Sequence, residues 1–365
     1  MNICFAVYDF SEIGGINTIC TQLANSFADE NNIYILNLNP KKVSLNNQYN
    51  LNSKIRIETI DLVNGRLLQQ AINAQGKIKK ILNKVHINVS LLMGNYAGLF
   101  GTLAHNKKNK MIFCDHGALE NQWQDKKIRI IRLISSKLND CVVVLTDRSK
   151  RDYIRRFKIP ESKVKTIYNF AKIAALMNDY DVTTKKIVSI GRMTEEKGFD
   201  LLIQIAEKVL PLNLEWQWDV YGDGPLLEEY KKRVEALGLE NQLHFCGNQS
   251  DAGNLIRNYA LYVLPSYREG LPLVLLEAKF SMVPSLNFDI QTGLNEIIRD
   301  GVNGYLVQPY DVDAMADRIQ YLIDHDDVRS QFSKDQKIDS EKFNGKNILE
   351  KWKYLILSVS KGENP

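Results

Sequence analysis

The sequence predicts an α/β protein made of two doubly wound domains, each a parallel sheet under helices. Three observations point there. Short apolar runs alternate with amphipathic stretches through the first half, the pattern breaks over residues 171–184, and it starts afresh at Lys186. The chain has 365 residues, 44% of them hydrophobic, enough for two cores at the usual domain size of about 100 to 200 residues.

In the first half, strands are expected at residues 3–8, 33–38, 89–93, 111–114 and 141–145, with helices between them. Residues 66–85 set Leu67, Leu68, Ile72, Ile78, Ile81, Leu82 and Val85 at helical spacing. The strand runs are apolar on both faces, which marks parallel strands covered on both sides. After the break, a strand at residues 186–190 opens a second series that runs through Val220, Phe245, Val263, Ser285 and Val307. The predicted organisation is residues 1–170 as the first domain and 171–345 as the second, joined near residue 175. Residues 346–365 form a closing helix whose Ile348, Leu349, Trp352, Leu355 and Ile356 would pack back on the first domain. Ligands of such sheets bind beyond the carboxyl ends of the strands, so two facing domains are expected to share one cleft.

Net charge is only +4, yet it is unevenly spread. Residues 1–170 carry 25 Lys and Arg against 13 Asp and Glu, while the remainder carries 22 against 30. Three clusters hold much of the positive charge: Lys77, Lys79, Lys80 and Lys84; Lys107, Lys108 and Lys110; Lys126, Lys127, Arg129 and Arg132. They read either as solvated helix faces or as a docking surface for an anionic membrane or polyanion. The five cysteines, Cys4, Cys20, Cys114, Cys141 and Cys246, are scattered and form no Cys-x-x-Cys pair, which argues against a disulfide framework or a zinc site and suits a reducing cytoplasm. The N-terminus reads as a first strand, not a signal peptide, and no apolar run approaches the roughly 20 residues that span a bilayer.

The most telling chemistry lies in Glu269-Gly270-Leu271-Pro272-Leu273 and on to Glu277. Pro272 suits a first helical turn, Gly270 lets backbone approach a ligand, and the new helix offers free amides at its positive end. Glu269 then stands just before that N-terminus and Glu277 one to two turns into the helix. Carboxylates repel phosphate but accept sugar hydroxyls, so amides flanked by two acids fit a nucleotide sugar better than a plain nucleotide. Upstream, the strand at 187–190 runs into Gly191-Arg192 and on to Lys197-Gly198. Arg192 and Lys197 can balance a diphosphate and the charge that grows on its departure, or they are solvated charges of a helix start. In the first domain, Gly14 and Gly15 follow the first strand as a turn able to sit under a diphosphate and acceptor. Asp115-His116-Gly117 ends another strand on the same side, with His116 either a structural hydrogen bonder or a site residue.

The order Gly-Arg-x4-Lys-Gly, Tyr221-Gly222-Asp223-Gly224-Pro225, Pro265-Ser266-x2-Glu269 through Glu277, and Asp300-Gly301-Val302-Asn303-Gly304 resembles the family 4 retaining glycosyltransferases over most of residues 186–325. That resemblance implies the GT-B architecture, two Rossmann-like domains facing across a cleft, the first for the acceptor and the second for the donor. It implies that Arg192 and Lys197 hold the diphosphate, Glu269 the transferred sugar, and Glu277 the ribose. Backbone from Gly270 through Leu271 and Pro272 to Leu273 would also meet phosphate. It further implies a base-binding loop at Gly247 and Asn248, a diphosphate turn at Gly14 and Gly15, and contact of His116 with the donor sugar. Asp289-Ile290-Gln291-Thr292-Gly293 resembles members using galactose-type or N-acetylhexosamine donors, which favours UDP. This chain has Ser281-Met282-Val283-Pro284 where many members have Cys-Gly or Ala-Gly before the proline.

The acidic pairs at Asp311 and Asp313 and at Asp324 to Asp327 fall at the ends of a late helix and read as caps, so neither a metal nor another cofactor is expected. The expected activity is transfer of a hexose or N-acetylhexosamine from a UDP-sugar to a saccharide acceptor, lipid-linked, in cell-surface polysaccharide or lipopolysaccharide synthesis. The expected setting is cytoplasmic and peripheral at the inner membrane face, with no nucleic-acid partner. Two rivals stand against it. One is a non-catalytic nucleotide-sugar-binding subunit of a glycosyltransferase complex. The other is a nicotinamide-dependent oxidoreductase, disfavoured because no Gly-x-Gly-x-x-Gly follows the first strand.

Overall fold

The computed structural model describes residues 1–39, 49–62, 65–105, 109–171, 180–249, 251–290 and 292–363. Lys107, Lys108, Gln291 and the junction near residue 175 lie outside these described residues. The chain divides into two compact units, one of residues 1–169 and from 346 on, the other of residues 170–345.

The first unit runs β1 (Asn2–Val7), α1 (Gly15–Phe27), β2 (Asn32–Asn37), β3 (Arg56–Thr59), α2 (Leu67–Lys84), β4 (Val89–Met93), α3 (Asn95–Leu103), β5 (Lys110–Asp115), α4 (Lys126–Leu138), β6 (Cys141–Val144), α5 (Asp147–Phe157) and β7 (Val164–Thr166). Its sheet has the order β3-β2-β1-β4-β5-β6-β7, with every pair parallel. All five residues of β4 and all four of β6 are buried, the burial that a continuous apolar strand needs when helices cover both faces. The sequence reading missed β3 and β7. Both are edge strands, and β3 carries Arg56 and Glu58 because one of its sides meets solvent.

The second unit runs β8 (Lys186–Ile190), α6 (Phe199–Val209), β9 (Gln217–Tyr221), α7 (Leu227–Ala236), β10 (Leu243–Phe245), α8 (Ala252–Ile256), β11 (Leu261–Leu264), α9 (Leu273–Phe280), β12 (Ser285–Phe288), α10 (Leu294–Ile297), β13 (Gly304–Val307), α11 (Val312–Asp324) and α12 (Asp326–Lys334). The sheet order is β10-β9-β8-β11-β12-β13, again parallel. Asp311 caps α11 by accepting from the Ala314 amide, and Asp326 and Asp327 sit in the first turn of α12. The last helix, α13 (Gly345–Lys361), belongs from Lys346 on to the first unit, where Lys353 pairs with Glu30 at 2.9 Å.

Both sheets reverse their strand order once, between β1 and β4 and between β8 and β11. Consecutive crossovers leave in opposite directions there, which opens a crevice at the carboxyl ends of those strands. Gly14 and Gly15 follow β1, Arg192 and Lys197 follow β8, and Glu269 follows β11.

The basic clusters need correction. Arg132 is fully buried, not a surface charge, and Lys110 pairs with Asp140 at 2.9 Å. Exposed lysines remain at Lys77, Lys80 and Lys84 on α2 and at Lys126, Lys127 and Lys137 on α4.

Candidate active site

In the second unit the switch point is closed by backbone contact. Gly198 is left-handed at φ +67°, and a Cβ there would stand 1.9 Å from the Pro265 carbonyl oxygen. Only glycine lets the start of α6 come this near the end of β11. Gly222, at φ +140°, plays the same part between β8 and β9, since a Cβ would meet the Gly191 oxygen at 1.8 Å. The Gly222 amide donates to the Gly247 oxygen at 2.8 Å and the Gly191 amide to the Tyr221 oxygen at 2.9 Å. The ends of β8, β9 and β10 are thus stitched together, with Arg192 and Asn248 exposed beside them.

Lys197 crosses the switch point. Its Nζ donates to Glu269 Oε1 at 2.7 Å, and the Ser266 hydroxyl donates to the same oxygen at 2.8 Å. The Glu269 side chain is 7% exposed and that of Lys197 is 23% exposed, so the pair is largely withdrawn from water. The sequence reading gave these residues separate tasks, and the structure joins them directly. The carboxylate is held in one orientation, and the ammonium next to it is placed where a phosphate can share it.

Leu271 and Pro272 are buried, and Pro272 is the N-cap of α9, one position before the helical turn expected for it. Leu273 therefore opens the helix, and its amide and that of Val274 have no acceptor within the helix. Glu277 is half-buried in the second turn. Tyr262 on β11 is fully buried, and its ionisation is opposed first by burial and then by the charges of Glu269 and Glu277.

In the first unit, Gly14 is the N-cap of α1 with extended backbone, and a Cβ there would meet nothing within 4 Å. Neither conformation nor packing among the described residues demands glycine there. Asn17 braces the preceding loop by donating to the Asp9 and Glu12 oxygens, each at 2.8 Å.

His116 follows β5. Its neighbour Asp115 is buried against Arg132, with Nε 2.7 Å from Oδ2 and Nη2 3.2 Å from Oδ1. The Tyr153 hydroxyl donates to Asp115 Oδ2 at 2.7 Å, the Gly117 amide donates to Oδ1 at 3.0 Å, and Arg132 also donates to Gln122 at 2.6 Å. The turn that carries His116 is thereby held by a buried ion pair. Burial lowers the imidazole pKa to about 4 although Asp115 pulls the other way, so the ring is neutral at pH 7. Its Nε2 is shielded and has no partner among the described residues.

The structure brings Lys197, Ser266 and Glu269 together in the second unit, with Glu277 in the second turn of α9. It sets Gly14, Gly15 and His116 at strand ends of the first. Sequence reasoning missed Ser266 and the Asp115–Arg132–Tyr153 support. Ser266 was visible inside a quoted motif, whereas the support needed the packing.

Two doubly wound parallel α/β units define a protein of the GT-B architecture. Comparison with known proteins agrees. Residues 177–339 match the Glycosyl transferases group 1 family and residues 13–174 match Glycosyltransferase Family 4. The chain is 31% identical over 285 residues to the poly(ribitol-phosphate) alpha-N-acetylglucosaminyltransferase of Staphylococcus aureus, covering 78% of this chain and about half, 54%, of that relative. It is 24% identical to an undecaprenol-linked GalNAc alpha-1,4-N-acetyl-D-galactosaminyltransferase of Campylobacter jejuni, covering 98% of this chain and 99% of that one. Among solved structures, a TarM variant of S. aureus in complex with fondaparinux, alpha-GlcNAc-glycerol and UDP superposes with a TM-score of 0.82 at 18% identity, covering 97% of this chain and 99% of that one. The chain belongs to the family 4 glycosyltransferases.

Proposed function

We propose that the protein is a retaining glycosyltransferase that moves a hexose or N-acetylhexosamine from a UDP-sugar to a saccharide acceptor in bacterial cell-surface polysaccharide synthesis. The observation that carries this reading is the Lys197–Glu269 pair across the second switch point, beside the start of α9. Arg192, Lys197 and the backbone from Gly270 to Leu273, whose donors are the amides of Gly270, Leu271 and Leu273, take the diphosphate. Glu269 accepts hydroxyls of the transferred sugar, and Glu277 those of the ribose. Gly247 and Asn248 border the base, and Gly14 and Gly15 leave room beside the diphosphate and acceptor.

The acceptor hydroxyl attacks the anomeric carbon from the face the diphosphate leaves, and its proton passes to a phosphate oxygen of that leaving group. Net configuration is kept, and no protein base is used. His116, neutral at pH 7, serves as a hydrogen-bonding group toward the sugar and not as a proton carrier. Arg192, Lys197 and the helix terminus supply the positive charge that a divalent ion would otherwise supply, so transfer proceeds in excess chelator. The relatives named for N-acetylhexosamine transfer and the Thr292-Gly293 segment support a UDP-N-acetylhexosamine as the first donor to try.

For the acceptor, the reading is a lipid-linked saccharide reached at an anionic membrane surface. Leu68 and Ile72 on α2 and Ile130 and Leu138 on α4 are exposed apolar residues on helices that also expose lysines. Both helices pack against α3. No described helix is long and apolar enough to cross a membrane. Flotation with anionic and neutral vesicles tests this part; equal binding to both, or binding indifferent to salt, overturns it.

The deciding experiment is a screen of UDP-, GDP- and ADP-sugars for thermal stabilisation and slow hydrolysis, followed by transfer assays with the stabilising donor. Stabilisation and turnover with a UDP-sugar are expected. Binding of a UDP-sugar with neither hydrolysis nor transfer would favour a non-catalytic nucleotide-sugar-binding subunit.

A further inference from the structure

The first unit sets a lysine over an aromatic ring at its own switch point. Tyr8 follows β1 and Tyr96 lies in the first turn of α3, just after β4, and their ring centroids are 5.0 Å apart across the two strands where the order reverses. The start of α1 flanks them, since a Cβ on Gly94 would stand 3.1 Å from Ile16 Cδ1. Lys127, exposed in the first turn of α4, holds its ammonium 5.4 Å from the Tyr96 ring centroid. Crevices of this kind are where doubly wound sheets take ligands.

Lys127 differs from the other cations set over rings in this unit. Arg56 over Tyr34 donates to the Tyr34 hydroxyl at 3.4 Å, and Arg129 over Trp123 donates to the Trp123 oxygen at 3.2 Å. Arg156, over the same Trp123, pairs with Glu120 and with Asp152. Lys127 has its ring and no carboxylate partner among the described residues. Asp125, two residues before it, spends Oδ1 on the Ile128 amide at 3.0 Å as the cap of α4, and Asn95 Oδ1, beside the ring in sequence, accepts from no described group. Lys126 and Lys127 also stand at the end of α4 where the helix dipole disfavours cations. A cation steadied by a ring, set against the dipole and left without an anion at a ligand crevice, is a local conflict of the sort that binding sites retain.

We propose that Lys127 binds an anionic group, phosphate or carboxylate, carried by the acceptor saccharide, and that Tyr96 is a positioning residue that holds the ammonium in place. The inference rests on the transferase reading, in which Arg192, Lys197 and the start of α9 serve the donor diphosphate in the second unit and leave the acceptor's charge to the first.

Binding is titrated with the full chain saturated with UDP, so that the donor site is occupied. The probes are glucose against glucose 6-phosphate and glucuronate, N-acetylglucosamine against its 6-phosphate, and glycerol against glycerol 3-phosphate. The wild type should bind the anionic member more tightly in at least one set, and less so as salt is raised. Lys127→Met should reduce that preference about threefold to fivefold, the usual worth of a good exposed ion pair, while Lys127→Arg should keep it. Tyr96→Leu should reduce it similarly, with little further loss in the double variant, and UDP affinity should stay unchanged throughout. A wild type with no anionic preference in any set overturns the inference, as does a preference undiminished in Lys127→Met. A loss of UDP affinity in Lys127→Met gives the lysine to the donor and overturns it too, and weaker flotation on anionic vesicles with the preference intact gives it to the membrane. A wild type that answers to no nucleotide sugar overturns the donor reading itself, and that outcome shows before any variant is made.

Discussion

Replacing His116 with Asn should flatten the acid side of the stability curve. The folded imidazole has a pKa of about 4 against 6.5 for an exposed histidine, because burial outweighs the attraction of Asp115. Between those values the unfolded chain binds a proton that the folded chain refuses, so stability is complete above pH 6.5 and declines as pH falls toward 4. The difference corresponds to about 3 kcal/mol, and the partial exposure of the residue reduces this to about 2 kcal/mol. Urea denaturation at pH 7.5 and 4.5 measures it. Other groups also destabilise the protein in acid, so the informative quantity is the difference between wild type and His116→Asn. The variant should lose less stability by about 2 kcal/mol on acidification. Parallel curves for the two proteins would refute the burial argument. The same protonation state predicts no inflection from His116 in kcat between about pH 5.5 and 8. An inflection near 6.5 that disappears in the variant would make His116 a proton carrier instead.

Lys197→Met should leave Glu269 with Ser266 as its single side-chain donor, lowering stability by about 1 to 3 kcal/mol and donor hydrolysis by about 100-fold or more; melts and single-turnover kinetics check both, and unchanged hydrolysis would detach the pair from catalysis. Glu269→Gln at saturating donor should likewise depress turnover strongly, and near-normal transfer would remove Glu269 from the sugar site. Lys279 is fully buried, donates to the Ile338 oxygen at 2.8 Å and has its pKa lowered by burial to about 8. The folded protein therefore gives up this proton before the unfolded chain does, and stability from this group rises as pH climbs from about 8 to 10.5. Urea midpoints of Lys279→Met should lack that rise, and a slope equal to the wild type's would show that another group causes it.

What the sequence made legible follows from which interactions are local. β1, β2, β4, β5 and β6 read as apolar runs because helices bury both faces of a parallel strand, whereas β3 could be found only from its neighbour, since Arg56 and Glu58 look like loop residues. The motif around Glu269 was readable because a loop and the helix after it are encoded within a few residues. Its ion pair was not. Lys197 and Glu269 are 72 residues apart, and they meet because β8 and β11 are neighbours in the sheet. Charge counting misled at Arg132 for the same reason: its partner Asp115 lies on β5, so a cation that seemed part of a docking face holds the His116 turn instead.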